Sequence, residues 1–424
     1  MTDDSSHRHR RQFLKLAGAA GIAGLAGCGG GGGGGDGGGD GDGGGDGGGD
    51  GDGGGDGGGG DGGGDGDGGD GGGTATATET SSGIQRIGYT SYVRGGSWIT
   101  AYVDSGRFYA EDQGIEMDVR PNQQDAAKQV QDIRDFTNKG FDGIIVGVWQ
   151  TGAASDAIQG ALDAGIPVIA TNADTANENI PLYVGFGNYE GGAKSAEEMY
   201  SALQNQKPDQ SPWNVLNVRG IQGNQSADQR SQGFLDVMSE KSDVNILDTI
   251  NGEYARDVAL SKTQQWINNN EVPHGIYSGN LTMGLGVVTA LENLGMKAPK
   301  GEDDHIVLTQ MDGGPEANQV IANGFIDAAV DQPNYYYNPI AIKYMMKIAQ
   351  EGMDAAIPDV GQKVTADDLT IEPAQHKGVE LWSNPIWAPA TIDEQNGHPW
   401  FKTNNVVITQ ENADAPYLWG NIWG

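Results

Sequence analysis

Six histidines are scattered along the chain, at His7, His9, His274, His305, His376 and His398, and none stands in H-E-x-x-H or any other metal-ligand spacing. Cys28 is the lone cysteine, so no disulfide can form within the chain. Gly147 and Gly152 have the spacing of a phosphate-binding loop, but no Lys-Ser/Thr follows them. There is no G-x-G-x-x-G after the first expected strand and no G-x-S-x-G nucleophile elbow. These patterns predict no enzyme, no cofactor and no metal. What remains is the chemistry of recognition. Two short polar stretches, Trp149-Gln150-Thr151 and Thr171-Asn172, each directly follow an apolar run.

Those stretches need a frame to aim them. Ile144-Ile145-Val146 is a β-branched run suited to a strand buried on both faces. From Ala153 to Ala164, small and apolar residues recur at helical spacing, Gly165 fits a left-handed cap, and Pro167 stops the helix. Val168-Ile169 then opens a second strand. This is a βαβ unit with parallel strands and a right-handed crossover. Ligands of open parallel sheets bind beyond the carboxyl ends of the strands, where both polar stretches fall. An ordinary βαβ unit without a site has the same pattern, and only the polar ends favour the site.

The N-terminus sets the compartment. Arg10-Arg11-Gln12-Phe13-Leu14-Lys15 reads as a twin-arginine export signal, followed by a small, apolar stretch from Leu16 to Ala26 that is too short to span a bilayer. Leu25-Ala26-Gly27-Cys28 is a lipobox-like end, which makes Cys28 the expected lipidation site and the protein an extracytoplasmic lipoprotein. Residues 29–73 contain only Gly and Asp, have no apolar surface to bury, and are expected to form a disordered tether. Forty-five glycine-rich residues reach roughly 35–40 Å.

Net charge is −33. Residues 1–73 hold 13 acidic and 4 basic residues, leaving 45 against 21 and a charge of −24 on the rest. Such a body repels nucleic acid and anionic lipid surfaces. The excess is spread evenly, as suits a protein working in strong brine, where salt screens self-repulsion; attraction of a cationic ligand is the alternative.

After a Thr-rich spacer, strands are expected at 84–89, 115–119, 143–147, 166–171 and 183–185, with helices at 98–113, 124–139 and 153–164 between them. A second series places helices at 190–206, 225–241, 255–270, 282–295, 315–323 and 338–351, and strands at 213–218, 244–249, 275–278, 306–310 and 325–330. About 350 residues exceed what one core serves, so two doubly wound α/β domains are expected.

In this frame four stretches stand out: the opening βαβ unit, Gly220-Ile221-Gln222-Gly223-Asn224 leading to Gln229-Arg230-Ser231-Gln232-Gly233-Phe234, Ser278-Gly279-Asn280-Leu281-Thr282-Met283-Gly284-Leu285-Gly286, and Met311-Asp312-Gly313-Gly314-Pro315. Their order and spacing resemble the type 1 periplasmic sugar-binding proteins, ribose-binding protein among them, over residues 84 to about 352 plus a final strand near 405–412. The resemblance implies two parallel-sheet lobes joined by three crossing strands, near Gly187-Asn188, near Gln332-Pro333 and after the last helix. The lobes are then 84–187 with 333–352, and 188–332 with 404–412, while 353–403 has no counterpart and an open placement. A sugar-responsive repressor would need a helix-turn-helix where this chain has its signal and tether.

Carried over residue by residue, the resemblance implies ligand contacts at Trp98, Asn172, Asp228, Tyr254, Asn280, Asp312 and Gln332. The residue types suit a sugar, whose hydroxyls pair with Asp, Asn and Gln and whose C–H face packs on aromatic rings. Other roles fit some of them as well. Trp98 and Tyr254 suit a core, Asp312 suits a cap for the Gly313-Gly314 turn, and Asn280 and Asn224 lie in N-glycosylation sequons. The family's Asp-Arg pair is replaced by Asn172-Ala173 and a second arginine by Asp228, with Arg94 and Arg256 the remaining basic candidates nearby. Ribose itself and phosphorylated sugars are therefore not expected. The implied function is capture of a small neutral sugar or polyol for the permease of an ABC importer by a monomer held to the membrane only through lipid. A receptor presenting an autoinducer-like or nucleoside-like signalling or chemotaxis molecule is the alternative.

Overall fold

The computed structural model describes residues 83–91 and 96–423. The export signal, the lipidation site Cys28, the Gly/Asp segment, the spacer to residue 82 and Arg94 lie outside the described residues.

The first lobe opens with β1 (Arg86–Ser91), α1 (Ser97–Asp112), β2 (Glu116–Pro121), α2 (Ala126–Asn138), β3 (Gly143–Gly147), α3 (Ser155–Asp163), β4 (Val168–Thr171) and β5 (Leu182–Phe186). The chain then crosses into the second lobe. There it forms α4 (Asn188–Gln206), β6 (Trp213–Arg219), α5 (Gln225–Ser239), β7 (Val244–Asn251), α6 (Arg256–Asn269), β8 (Gly275–Ser278), α7 (Leu281–Asn293), β9 (Val307–Met311), α8 (Pro315–Ala322) and β10 (Ala328–Asp331). A second crossing leads to α9 (Asn334–Glu351), which packs on α1, β3, β4 and β5 of the first lobe.

Residues 353–403 stay with the first lobe. They form α10 (Met353–Ala356), β11 (Lys363–Val364), β12 (Ala374–His376), β13 (Val379–Leu381), β14 (Ala390–Gln395) and β15 (His398–Thr403). The third crossing ends in β16 (Val406–Ile408), and α11 (Trp419–Ile422) closes the chain. The first sheet runs β11-β14-β15-β5-β4-β3-β1-β2, and the second β16-β10-β9-β8-β6-β7. Both are parallel except at one edge, where β11, β14 and β16 run antiparallel to a neighbour. The protein is an α/β fold of two parallel-sheet lobes.

The opening βαβ unit shows how sequence becomes structure. Every residue of β3 is buried. Ile145 packs with the cluster under α1 and α9, while Ile144 and Val146 pack on the opposite face with Ile133, Phe136 and Ile158. Alternating directions along a strand with no wet face account for a continuous β-branched run. Gly165 takes φ +80° at the end of α3, the left-handed cap its position predicts.

The helix expected at 338–351 starts one turn earlier, at Asn334. Pro339 fits an opening turn by its own chemistry, but Tyr335, Tyr336 and Tyr337 are all fully buried, and their packing extends the helix past the proline. Among the described residues no helix is long and apolar enough to cross a membrane.

Helices α4 and α5 touch backbone to backbone. A Cβ at Gly192 would fall inside van der Waals distance of the Arg230 carbonyl oxygen, and one at Gly233 would meet that of Tyr189. Gly192→Ala and Gly233→Ala should each destabilise the body by about 1–3 kcal/mol through forced separation of the helices. Denaturant midpoints measure this, and unchanged midpoints would mean the helices already have room.

Candidate functional site

The carboxyl ends of strands from both sheets open onto one cleft of about 610 Å³. Trp98 follows β1, Gln124 follows β2, Trp149 follows β3 and Asn172 follows β4; from the second lobe come Tyr254 after β7, Asn280 after β8, Asp312 after β9 and Gln332 after β10. Four of these are non-glycine residues in the left-handed region: Gln124 (φ 67°), Asn172 (φ 63°), Tyr254 (φ 56°) and Asp312 (φ 66°). Such a conformation costs on the order of 1 kcal/mol or more and persists only when its surroundings fix it. Here hydrogen bonds from the Asn172 N–H to the Val184 carbonyl and from the Asp312 N–H to the Val330 carbonyl, each 2.9 Å, hold two of the turns.

The aromatic walls have their own supports. Asn334 donates through Nδ2 to the Trp98 carbonyl at 3.1 Å, and the Trp98 ring lies 5.4 Å from that of Tyr102. The Tyr102 hydroxyl shares a 2.5 Å hydrogen bond with Thr171, the last residue of β4. Tyr254 lies against Gly220, where any Cβ would meet its ring. Burial pushes its phenol up to about 12, so the hydroxyl is a neutral donor at ordinary pH.

Six of the seven residues singled out in the sequence (Trp98, Asn172, Tyr254, Asn280, Asp312 and Gln332) line this cleft. Asn280 has a second task, because its Oδ1 accepts from the Met283 N–H and caps α7. Asp228 is not among the lining residues. It pairs with Arg219 and accepts from the Gly223 N–H, with its side chain 45% exposed. Asp228 and Arg230 are two positions apart, about 200° around the helix, so when one faces the cleft the other faces away.

Arg230 is the side that faces in, which corrects the expectation that only Arg94 and Arg256 could bring a guanidinium near the site. Arg256 is paired with Glu316 at 2.9 Å on the surface. Arg230 is buried, donates to Asp312 Oδ2 at 2.8 Å, to Asn188 Oδ1 at 2.8 Å and to the Gly279 carbonyl at 3.0 Å. Burial works against its charge, yet the Asp312 carboxylate holds its pKa above the usual value, so the guanidinium stays charged. Gln332 completes the cluster, giving its amide N–H to Asp312 Oδ1 at 2.7 Å and taking the Tyr337 hydroxyl at 2.9 Å.

The charged groups in the cleft are therefore all engaged within the protein. Among the described lining residues only Asp174, Arg230 and Asp312 are charged. Arg230 and Asp312 neutralise each other, and Asp174 is enclosed by His398, Gln395 and Asn396. The rest of the lining is amide, hydroxyl and aromatic with a few aliphatic side chains (Ile99, Val148, Ile221, Leu281), a surface suited to a neutral, hydroxyl-rich molecule. No group of three or more His, Cys, Asp or Glu among the described residues is placed to hold a metal ion.

Sequence reasoning left open whether 353–403, with its Trp400, covers the cleft or wraps a lobe, and singled out neither Gln395 nor Trp400 as a contact; both line the cleft from the β14–β15 hairpin. A signal for them existed. Asn396-Gly397 separates two β-rich runs by two residues, and both take positive φ (50° and 85°), as a type I′ turn requires.

Residues 87–353 match the periplasmic binding protein domain. The xylitol-binding protein of Mycolicibacterium smegmatis is 26% identical over 219 residues, covering 51% of this chain and 61% of that protein. The galactofuranose-binding protein of Escherichia coli is 23% identical over 263 residues, covering 61% of this chain and 78% of the relative. A solved ABC transporter solute-binding protein from Actinobacillus succinogenes, with bound D-allose, superposes with a TM-score of 0.60 at 21% identity over 78% of this chain and 99% of its own. With two such lobes, three crossings and a family match across most of both, the chain belongs to the periplasmic binding protein family.

Proposed function

We propose that the cleft captures one small neutral sugar or polyol outside the cytoplasm and that the loaded protein delivers it to the permease of an ABC importer. The observation that carries this reading is the aromatic-walled cleft whose three charged residues are all held by partners within the protein, which leaves amides and hydroxyls to meet the ligand. The relatives named for xylitol and galactofuranose bind molecules of this kind. Trp98 and Asn172 act from the first lobe, and Tyr254, Asn280 and Asp312 from the second, with Gln332 at the crossing. Cys28 carries the lipid, residues 29–73 are the tether, and a monomer works in high salt.

Calorimetry against pentoses, hexoses and polyols in high salt should show one site at micromolar affinity or tighter, roughly −8 kcal/mol or better. Tight binding only to amino acids or phosphate esters would sink the sugar reading. Trp98→Ala and Tyr254→Ala should each weaken binding by about 1–3 kcal/mol while the folded fraction stays unchanged. Loss of the fold instead would make these rings core residues.

A further inference from the structure

Residues 354–403 lie beyond the stretch matched by the family, 87–353, yet Gln395 of their β14–β15 hairpin lines the ligand cleft. Gln395 and His398 are paired across the Asn396-Gly397 turn, and both are tied to one carboxylate. Asp174 Oδ1 accepts from His398 Nε2 at 2.8 Å and from the Thr175 N–H at 2.7 Å. Its Oδ2 accepts from Gln395 Nε2 and Asn396 Nδ2, each at 2.8 Å. Asp174 and His398 are buried, and lone pairs satisfied to this degree hold the turn in one place. Asp174 stands two residues past Asn172, in the loop after β4. The loop that presents Asn172 to the cleft therefore also anchors Gln395.

The anchor decides which way the Gln395 amide points. With four donors converging on it, the Asp174 carboxylate acts only as an acceptor, so the amide nitrogen must face it and the carbonyl oxygen must face away. Among the described residues no hydrogen bond engages Gln395 Oε1, and it is not one of the buried polar atoms left without a partner. It is an accessible acceptor on a half-buried side chain whose amide is already oriented. A group fixed beforehand loses little freedom when a ligand arrives. A ligand hydroxyl can donate to it, whereas an analogue without that hydroxyl leaves the acceptor desolvated and unmet.

We propose that Gln395 is a specificity-determining contact, its Oε1 accepting a hydrogen bond from one particular hydroxyl of the bound sugar or polyol. This rests on the sugar-binding reading above and deepens it.

The test is calorimetry of the full chain in high salt against D-allose, D-galactose, L-arabinose and xylitol, followed by the monodeoxy analogues of the tightest of the four. Gln395→Met should bind the intact ligand about tenfold more weakly than the parent does. For one of the hydroxyls removed, it should nevertheless bind the deoxy analogue as tightly as the parent does. Gln395→Asn keeps an amide but is one methylene too short to reach Asp174 and the ligand together. It should give the same pattern, and it covers the case in which Met unsettles the hairpin. A loss spread evenly over the intact ligand and all its analogues, or a change under twofold, makes Gln395 a structural pin and overturns the contact while the sugar reading stands. No binding by any of the four compounds overturns both.

Discussion

Replacing Arg230 with Met should cost about 3–5 kcal/mol of stability, the largest single effect expected in this molecule. Its side chain and that of Asp312 are 8% and 7% exposed, so removing the guanidinium leaves a carboxylate buried without its counter-charge. The Asn188 amide and the Gly279 carbonyl lose a partner in the same step. Asn188 opens α4 directly after the first crossing, so the damage extends to the connection between lobes. Changing both members of the pair, Arg230→Met with Asp312→Leu, should recover part of the loss, because no unpaired charge is then buried. Urea midpoints decide it: a loss under about 1 kcal/mol in the single variant would mean that water reaches the pair.

The second large effect depends on pH. Asp331, at the end of β10, is buried, and burial pushes its carboxyl up to about 7. The nearby Asp312 charge adds to this, while N–H groups of Gly313 (3.0 Å) and Trp419 (3.1 Å) oppose it. An unfolded aspartate titrates near 3.8. Between about pH 4 and pH 7 the folded chain thus holds a proton that the unfolded chain has released. Stability from this group is greatest below that window, falls as pH rises through it, and levels off above about 7. Three pH units correspond to at most about 4 kcal/mol. In Asp331→Asn the Oδ1 acceptor for both donors remains and the titration is gone. The variant should match the parent near pH 4.5, exceed it in stability at pH 8, and lack its slope between. Because both proteins share the acidic surface, general charge repulsion cancels in the comparison. Parallel pH profiles would show that Asp331 titrates like an exposed carboxylate.

Local pattern made the frame of this fold legible. Ile144-Ile145-Val146, Gly165 and Pro167 each act through their own backbone preferences, so strand, helix and cap follow directly from sequence. The cleft was readable where a residue stands at a strand end, as Asn172 and Asp312 do. Arg230 was not, since its pairing with Asp312 spans 82 positions and only the packed helix shows which face of α5 turns inward. The 353–403 segment was obscured for a different reason. Its strands are two to six residues long, too short for a period to emerge, and their partners β5 and the Asp174 loop lie about 220 positions earlier. Asn396-Gly397 alone marked the hairpin.

The central claim is that two lobes grip one sugar, and it requires motion, because an importer reads occupancy only if ligand shifts the equilibrium between open and closed forms. Trp98 and Asn172 sit on one lobe and Tyr254, Asn280 and Asp312 on the other, so a ligand touching both favours closure. Small-angle scattering of the body from residue 83 onward, with and without saturating sugar, tests this directly. The radius of gyration should shrink on binding, and Asn172→Ala should require more ligand for the same contraction. Scattering that stays unchanged while calorimetry reports full occupancy would contradict the two-lobe mechanism.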